Sequence, residues 1–175
     1  MVRDRLPLVA LVGRPNVGKS SLFNRLAKSQ KAIVDPTPGV TRDRHYEKVT
    51  WHDKTFLLVD TGGIEASDQA DQINRMIQEQ TRQAIEEADV ILLLLDGREG
   101  VMPDDLKVVD LLRRSGKAVH YLVNKIDDPA QEQRLLSPFY ELGVERLWPL
   151  SAAHGLGVSD FFSHLVEELA PAPEE

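Results

Sequence analysis

The octapeptide Gly13-Arg14-Pro15-Asn16-Val17-Gly18-Lys19-Ser20 follows a short apolar run and precedes a stretch with helical spacing. Its glycines let the backbone bend and come close to an anion, and the N–H groups of the loop and of a helix start would cradle phosphate oxygens. Lys19 adds a positive charge for the outer groups of a polyphosphate. The Ser20 hydroxyl, with Ser21 beside it, is an oxygen donor suited to Mg²⁺. The pattern G-x-x-x-x-G-K-[ST] carries this meaning only between a strand and a helix, and this sequence supplies both.

Three further segments offer chemistry that would complete such a site. Asp60-Thr61-Gly62-Gly63 ends an apolar run, where an acidic residue at a strand tip can hold Mg²⁺ through water and the Gly63 N–H can meet a terminal phosphate. By itself Asp-x-x-Gly is a common turn; it gains weight by following a phosphate loop. Asn124-Lys125-Ile126-Asp127 separates one purine from another. Guanine presents N1–H and N2–H₂ as adjacent donors that the Asp127 carboxylate can accept together, and adenine has no such pair. Asn124 could tie the loop and reach the base, and the aliphatic stem of Lys125 could lie over the ring. In Ser151-Ala152 a small residue would let a backbone N–H approach the guanine O6.

These segments need a scaffold that brings strand ends together. Leu8 to Val12, Thr55 to Asp60, Val90 to Asp96 and Ala118 to Asn124 are short apolar runs ending in Gly, Asp or Asn, as expected of strands buried on both faces. Lys19 to Lys28, Ile73 to Glu87, Pro103 to Arg114 and Ala130 to Leu142 have helical spacing, and Leu147 to Leu150 with Val158 to Leu169 adds a last strand and helix. Tyr46 to Trp51, before the polar His52-Asp53-Lys54 turn, predicts a strand antiparallel to the next one. The expected fold is α/β: three layers, with a mainly parallel six-stranded sheet carrying one antiparallel edge strand. Ala32 to Arg44, with Pro36, Pro38 and Gly39, and Gly62 to Gln72 read as loops. Residues 1–169 form the expected domain, and the acidic, proline-containing segment 170–175 reads as a linker towards further domains.

Composition narrows the alternatives. The 175 residues suit one domain, and 42% apolar with 28% charged residues is ordinary globular usage. The longest apolar run, Val90 to Leu95, is far below the ~18 residues of a spanning helix, so no membrane partner is expected. The absence of cysteine excludes a disulfide frame and a thiol nucleophile, and fits a cytoplasmic location. A net charge of −7 argues against direct nucleic-acid binding by this domain alone. The histidines at 45, 52, 120, 154 and 164 show no i,i+4 pairing and no cysteine companions, which argues against a zinc or iron site and leaves them as surface or core residues. Arg113, Arg114 and Lys117 read as cations favoured by a helix C-terminus, with an RNA contact as the alternative.

Taken in order, the four motifs resemble the P-loop GTPases of the Ras-like fold over residues 6 to 169. Gly13 to Ser21, Pro-Gly-Val-Thr-Arg-Asp (Pro38 to Asp43) and Val-Asp-Thr-Gly-Gly-Ile (Val59 to Ile64) are similar to the translation-factor-related, TrmE-Era-EngA-like group. Within that group they resemble the first GTPase domain of the Der (EngA) ribosome-assembly GTPases, which carry two such domains and a KH-like domain. The resemblance implies Mg²⁺-dependent binding of GTP and GDP, slow hydrolysis of GTP, and a conformational switch in large-subunit ribosome biogenesis. A nucleotide sensor with negligible turnover is the alternative. It also implies that Thr41, with Thr37 as competitor, meets Mg²⁺ and the γ-phosphate from a mobile loop. Ile64 stands where Ras-type enzymes place a water-orienting glutamine, and its side chain cannot bind water. Asn16 resembles the asparagine that ligates K⁺ in potassium-stimulated members; the other reading is a loop amide that stabilises its own turn.

Overall fold

The computed structural model describes residues 6–29, 45–61 and 82–169. Six strands, β1 (Leu8–Val12), β2 (His45–Trp51), β3 (Lys54–Asp60), β4 (Val90–Asp96), β5 (Ala118–Asn124) and β6 (Leu147–Pro149), form one sheet in the order β2-β3-β1-β4-β5-β6. All neighbours pair in parallel except β2 with β3. That hairpin turns through His52 and Asp53 at φ 50° and 66°, the two left-handed residues a tight hairpin turn requires.

Helices cover both faces: α1 (Lys19–Ser29), α2 (helical at 82–87), α3 (Pro103–Ser115), α4 (Glu132–Leu136) and α5 (Val158–Glu168). Strand alternation divides the core. Val9, Leu11, Leu92 and Leu94 pack with Leu22 and Leu26 of α1 and Phe161, Phe162 and Leu165 of α5. Ala10, Val12, Ile91, Leu93 and Leu95 pack on the opposite face with Ile85 of α2, Val109 and Leu112 of α3, and Phe139. Every residue of β1 and β4 is buried, which is why both read as unbroken apolar runs.

The helix expected over Ala130 to Leu142 is broken instead. It resolves into a 3₁₀ turn (Pro129–Gln131), the five-residue α4 and a second 3₁₀ turn (Ser137–Leu142). Pro138 has no N–H to donate and its ring crowds the carbonyl four residues back, so an α-helix cannot run through it.

Because five strands run parallel, their C-terminal ends share one edge. From β1 the chain passes to the β2–β3 side and then crosses to β4, so the loop after β1 sits where the winding reverses, the usual ligand crevice of such sheets.

Candidate functional site

The loop 13–18 joins β1 to α1 at that reversal. A Cβ on Gly13 would lie 2.6 Å from the Leu94 carbonyl oxygen, so only glycine lets the chain leave β1 so close to β4. Asn16 and Gly18 take left-handed conformations at φ 71° and 107°. Lys19 is buried, and its ammonium donates to the carbonyl oxygens of Gly13 (2.5 Å) and Arg14 (2.9 Å), so it lies back across its own loop. α1 has no acidic residue in its first turn, which leaves its N-terminal dipole for an anion. Ser20 and Ser21 are exposed there.

Asp60 ends β3 and is buried. The Thr61 hydroxyl and amide both donate to the Leu11 carbonyl, at 2.9 and 3.2 Å, fixing how the chain leaves Asp60. Gly62, Gly63, Ile64, Thr37 and Thr41 lie outside the described residues.

At the end of β5, Asn124 is 3% exposed and bridges two motifs. Its Nδ2 donates to the Val17 carbonyl (2.8 Å), and its Oδ1 accepts from the Ala152 amide (2.9 Å). Lys125, at φ 69°, donates from Nζ to the Asn16 carbonyl and to Asp96 Oδ2, both at 2.8 Å. Asp127 Oδ1 accepts from the buried Ser151 hydroxyl (2.6 Å), and Oδ2 pairs with Arg98 Nη2 (2.5 Å). The Ser151 bond and, more weakly, Arg98 outweigh burial and hold the Asp127 carboxyl below its usual range. Asp127 thus keeps its acceptor charge, with one oxygen fixed from beneath and the other held by an exposed arginine that a ligand can displace.

The phosphate loop and the segments 124–127 and 151–152 therefore meet through direct hydrogen bonds, as a shared site requires. The sequence motifs include neither Asp96 nor the ion-pair partners of Arg14. Asp96, the buried end of β4, accepts from the amides of Arg98 (2.8 Å) and Glu99 (3.1 Å) as well as from Lys125. Burial pushes its carboxyl up, but these bonds together hold it below the ordinary range. Arg14 Nε donates to Asp105 Oδ1 (2.8 Å) and Nη1 to Glu99 (3.0 Å), while Asp105 Oδ2 accepts the Met102 amide at the start of α3 (2.9 Å). The signal for Asp96 was the Asp-Gly step closing an apolar strand. Arg14 belongs to the phosphate-loop motif, but its ion pairs carry no sequence signal, because its partners lie 85 and 91 residues away.

The oxygen donors at Ser20 and Asp60 suit a hard cation such as Mg²⁺, which takes carboxylate and hydroxyl oxygens with water. No helix among the described residues is long and apolar enough to cross a membrane.

The chain is 52% identical over 168 residues to GTPase Der of Desulforapulum autotrophicum, covering 96% of this chain and 34% of that protein. It is 51% identical to GTPase Der of Geobacter metallireducens, covering 94% and 37%. It thus spans about a third of the length of these curated relatives. Among solved structures, Aquifex aeolicus Era bound to GDP·AlF4⁻ matches at 29% identity with a TM-score of 0.75, over 98% of this chain and 58% of that one. Era in complex with MgGDPNP and a 16S ribosomal RNA segment matches at 28% identity with a TM-score of 0.77, over 99% and 60%. The model of the 50S ribosome-binding GTPase family matches residues 8–125, from β1 through the phosphate loop to Lys125. A strand-end site joined by Asn124 and this match lead to one conclusion: the chain belongs to the family of 50S ribosome-binding GTPases.

Proposed function

We propose that this chain binds GTP and GDP, with Mg²⁺ on the triphosphate, and hydrolyses GTP to GDP and phosphate. One observation carries the reading: Asn124 spans from the phosphate loop to Ala152, so the groups suited to phosphate and to guanine belong to a single cleft. Gly13, Arg14, Pro15, Asn16, Val17, Gly18 and the α1 start, with Ser21, would wrap the phosphates. Lys19 would exchange the Gly13 and Arg14 carbonyls for phosphate oxygens. Ser20 and Asp60 would hold Mg²⁺, with Thr41 joining them; the ion, when bound, offsets charge on the phosphate oxygens. Gly63 would offer its N–H to the γ-phosphate, with Gly62 and Ile64 beside it in sequence, and Thr61 fixes how the chain leaves Asp60. At the base, Asp127 would accept the two guanine donors once Arg98 swings away. Lys125 would flank the ring and the Ala152 region would face O6.

Ile64 offers no group to orient water, so hydrolysis would rest on positioning and charge stabilisation, with Asn16 as the residue toward which K⁺ would bind. The match to the 50S ribosome-binding GTPase family supports a role in large-subunit assembly, and the complex of Era with 16S ribosomal RNA supports, more broadly, a place at the ribosome. Residues 1–169 would act there as one GTPase unit of a longer protein in the cytoplasm.

Binding titrations of GDP and XDP test the base reading. Asp127→Asn removes a charged acceptor and offers a donor to the guanine N–H groups. It should weaken GDP by about 10- to 100-fold, equivalent to about 1.5–3 kcal/mol, and improve XDP, whose C2 carbonyl can accept. Unchanged GDP affinity would remove Asp127 from the base site.

A further inference from the structure

His120 lies four residues before Asn124 on β5, about 13 Å along the strand from the nucleotide end. On α5, His164 and Glu168 are one helical turn apart and share a face. The strand residue and the helical pair converge. Glu168 Oε2 is 2.5 Å from His164 Nε2 and 3.6 Å from His120 Nε2, and the three donor atoms all lie within 4.8 Å of one another. No two histidines are four residues apart and there is no cysteine, but a carboxylate, Glu168, lies four residues after His164.

Donors bonded to one tetrahedral ion at about 2.0–2.1 Å sit about 3.3 Å apart, so each pair here needs only a side-chain adjustment of about 1.5 Å or less to share an ion. The rings are already confined. His120 packs edge-on against Phe161 with centroids 5.5 Å apart, and His164 packs against Trp148 at 4.7 Å. Arg146, one of the two arginines of the adjoining cavity, is held over the Trp148 ring at 3.7 Å. Both histidines also line a cavity of about 370 Å³ with Arg113, Tyr121 and Arg146, giving a route for solvent to the cluster.

We propose that His120, His164 and Glu168 bind one divalent transition-metal ion of the zinc class, leaving a fourth coordination position for water from the adjoining cavity. Two imidazoles and a carboxylate favour Zn²⁺ and its N/O-binding neighbours over soft monovalent copper, and over Mg²⁺, which prefers an all-oxygen shell. This site is separate from the nucleotide cleft and would tie α5 to β5 whatever nucleotide is bound.

Co²⁺ is the probe, titrated into the full chain loaded with GDP in excess Mg²⁺, and again without nucleotide. The expected result in both is one equivalent bound at about micromolar concentration, with the visible absorption of a four-coordinate ion displaced by Zn²⁺. His164→Gln and Glu168→Gln, both at solvent-accessible positions of α5, should each weaken binding by at least about tenfold while leaving GDP affinity unchanged. In the imidazole NMR spectrum one equivalent of Zn²⁺ should shift His120 and His164 before His52 or His154. No bound equivalent, equal binding by the variants, or first shifts at His52 or His154 would overturn the site and leave a His–Glu–His cluster of close polar contacts between α5 and the sheet.

Discussion

The Arg98–Asp127 pair sets up a competition at single-residue scale. Arg98 is 68% exposed, and an exposed ion pair contributes about 0–1 kcal/mol, so a base with two matched donors should displace it at little cost. Arg98→Ala should therefore leave GDP binding unimpaired or tighten it by up to about fivefold, as read by isothermal titration; a large loss would mean that Arg98 contacts the nucleotide itself. Asp96 makes the opposite kind of contact, buried and bonded on three sides. Asp96→Asn should cost about 2–3 kcal/mol of unfolding free energy at pH 7, where the Lys125 bridge is intact. Its folded carboxyl titrates below the ordinary value of 3.8, so the stabilisation is present above that value and lost as pH falls through the lower folded one. Urea unfolding at neutral pH and at pH about 3 should show the wild-type advantage shrinking in acid; a constant gap would place the effect elsewhere than in the charge.

At the scale of elements, the phosphate loop keeps its shape through its fit against β4 and β5. A Cβ on Gly18 would lie 2.0 Å from Asn124 Nδ2, at a φ that L-residues avoid. Gly18→Ala should displace the Asn124 bridge, lower the melting temperature and weaken GDP by more than about tenfold. Normal GDP affinity in that variant would separate the bridge from binding. The strands were legible because β1, β4 and β5 are short apolar runs ending in a residue with a task. The apolar spacing over 130–142 persists through Pro138 and by itself points to one helix, but backbone chemistry overrides spacing there. The tie from Asn124 was legible as a role but its partner atoms were not: Val17 and Ala152 lie 107 and 28 residues away, and only the sheet order brings them together.

At the scale of the whole molecule, a sheet with its winding reversal beside β1 brings the phosphate loop, Asp60 with Thr61, and the segments 124–127 and 151–152 to one edge and leaves the other end of β5 to a separate His–Glu cluster. The motifs could be read because each is contiguous in sequence. Arg14 with Asp105, Asp96 with Lys125, and His120 with His164 and Glu168 could not, since each joins different elements. If Asn16 directs a monovalent cation to the phosphates, hydrolysis should be faster in KCl than in NaCl at equal ionic strength, where screening is the same. Asn16→Ala should lose that difference and keep most of its GDP affinity; equal rates in both salts would leave Lys19, Mg²⁺ and the loop backbone to stabilise the charge. The most direct test of the central claim is single-turnover release of phosphate from nucleotide bound to the purified chain with Mg²⁺, with GTP and ATP compared. Phosphate should be released from GTP within minutes and not from ATP, and the GTP signal should be lost in Lys19→Ala. Bound GTP that stays intact for hours would contradict the claim and make the domain a nucleotide sensor.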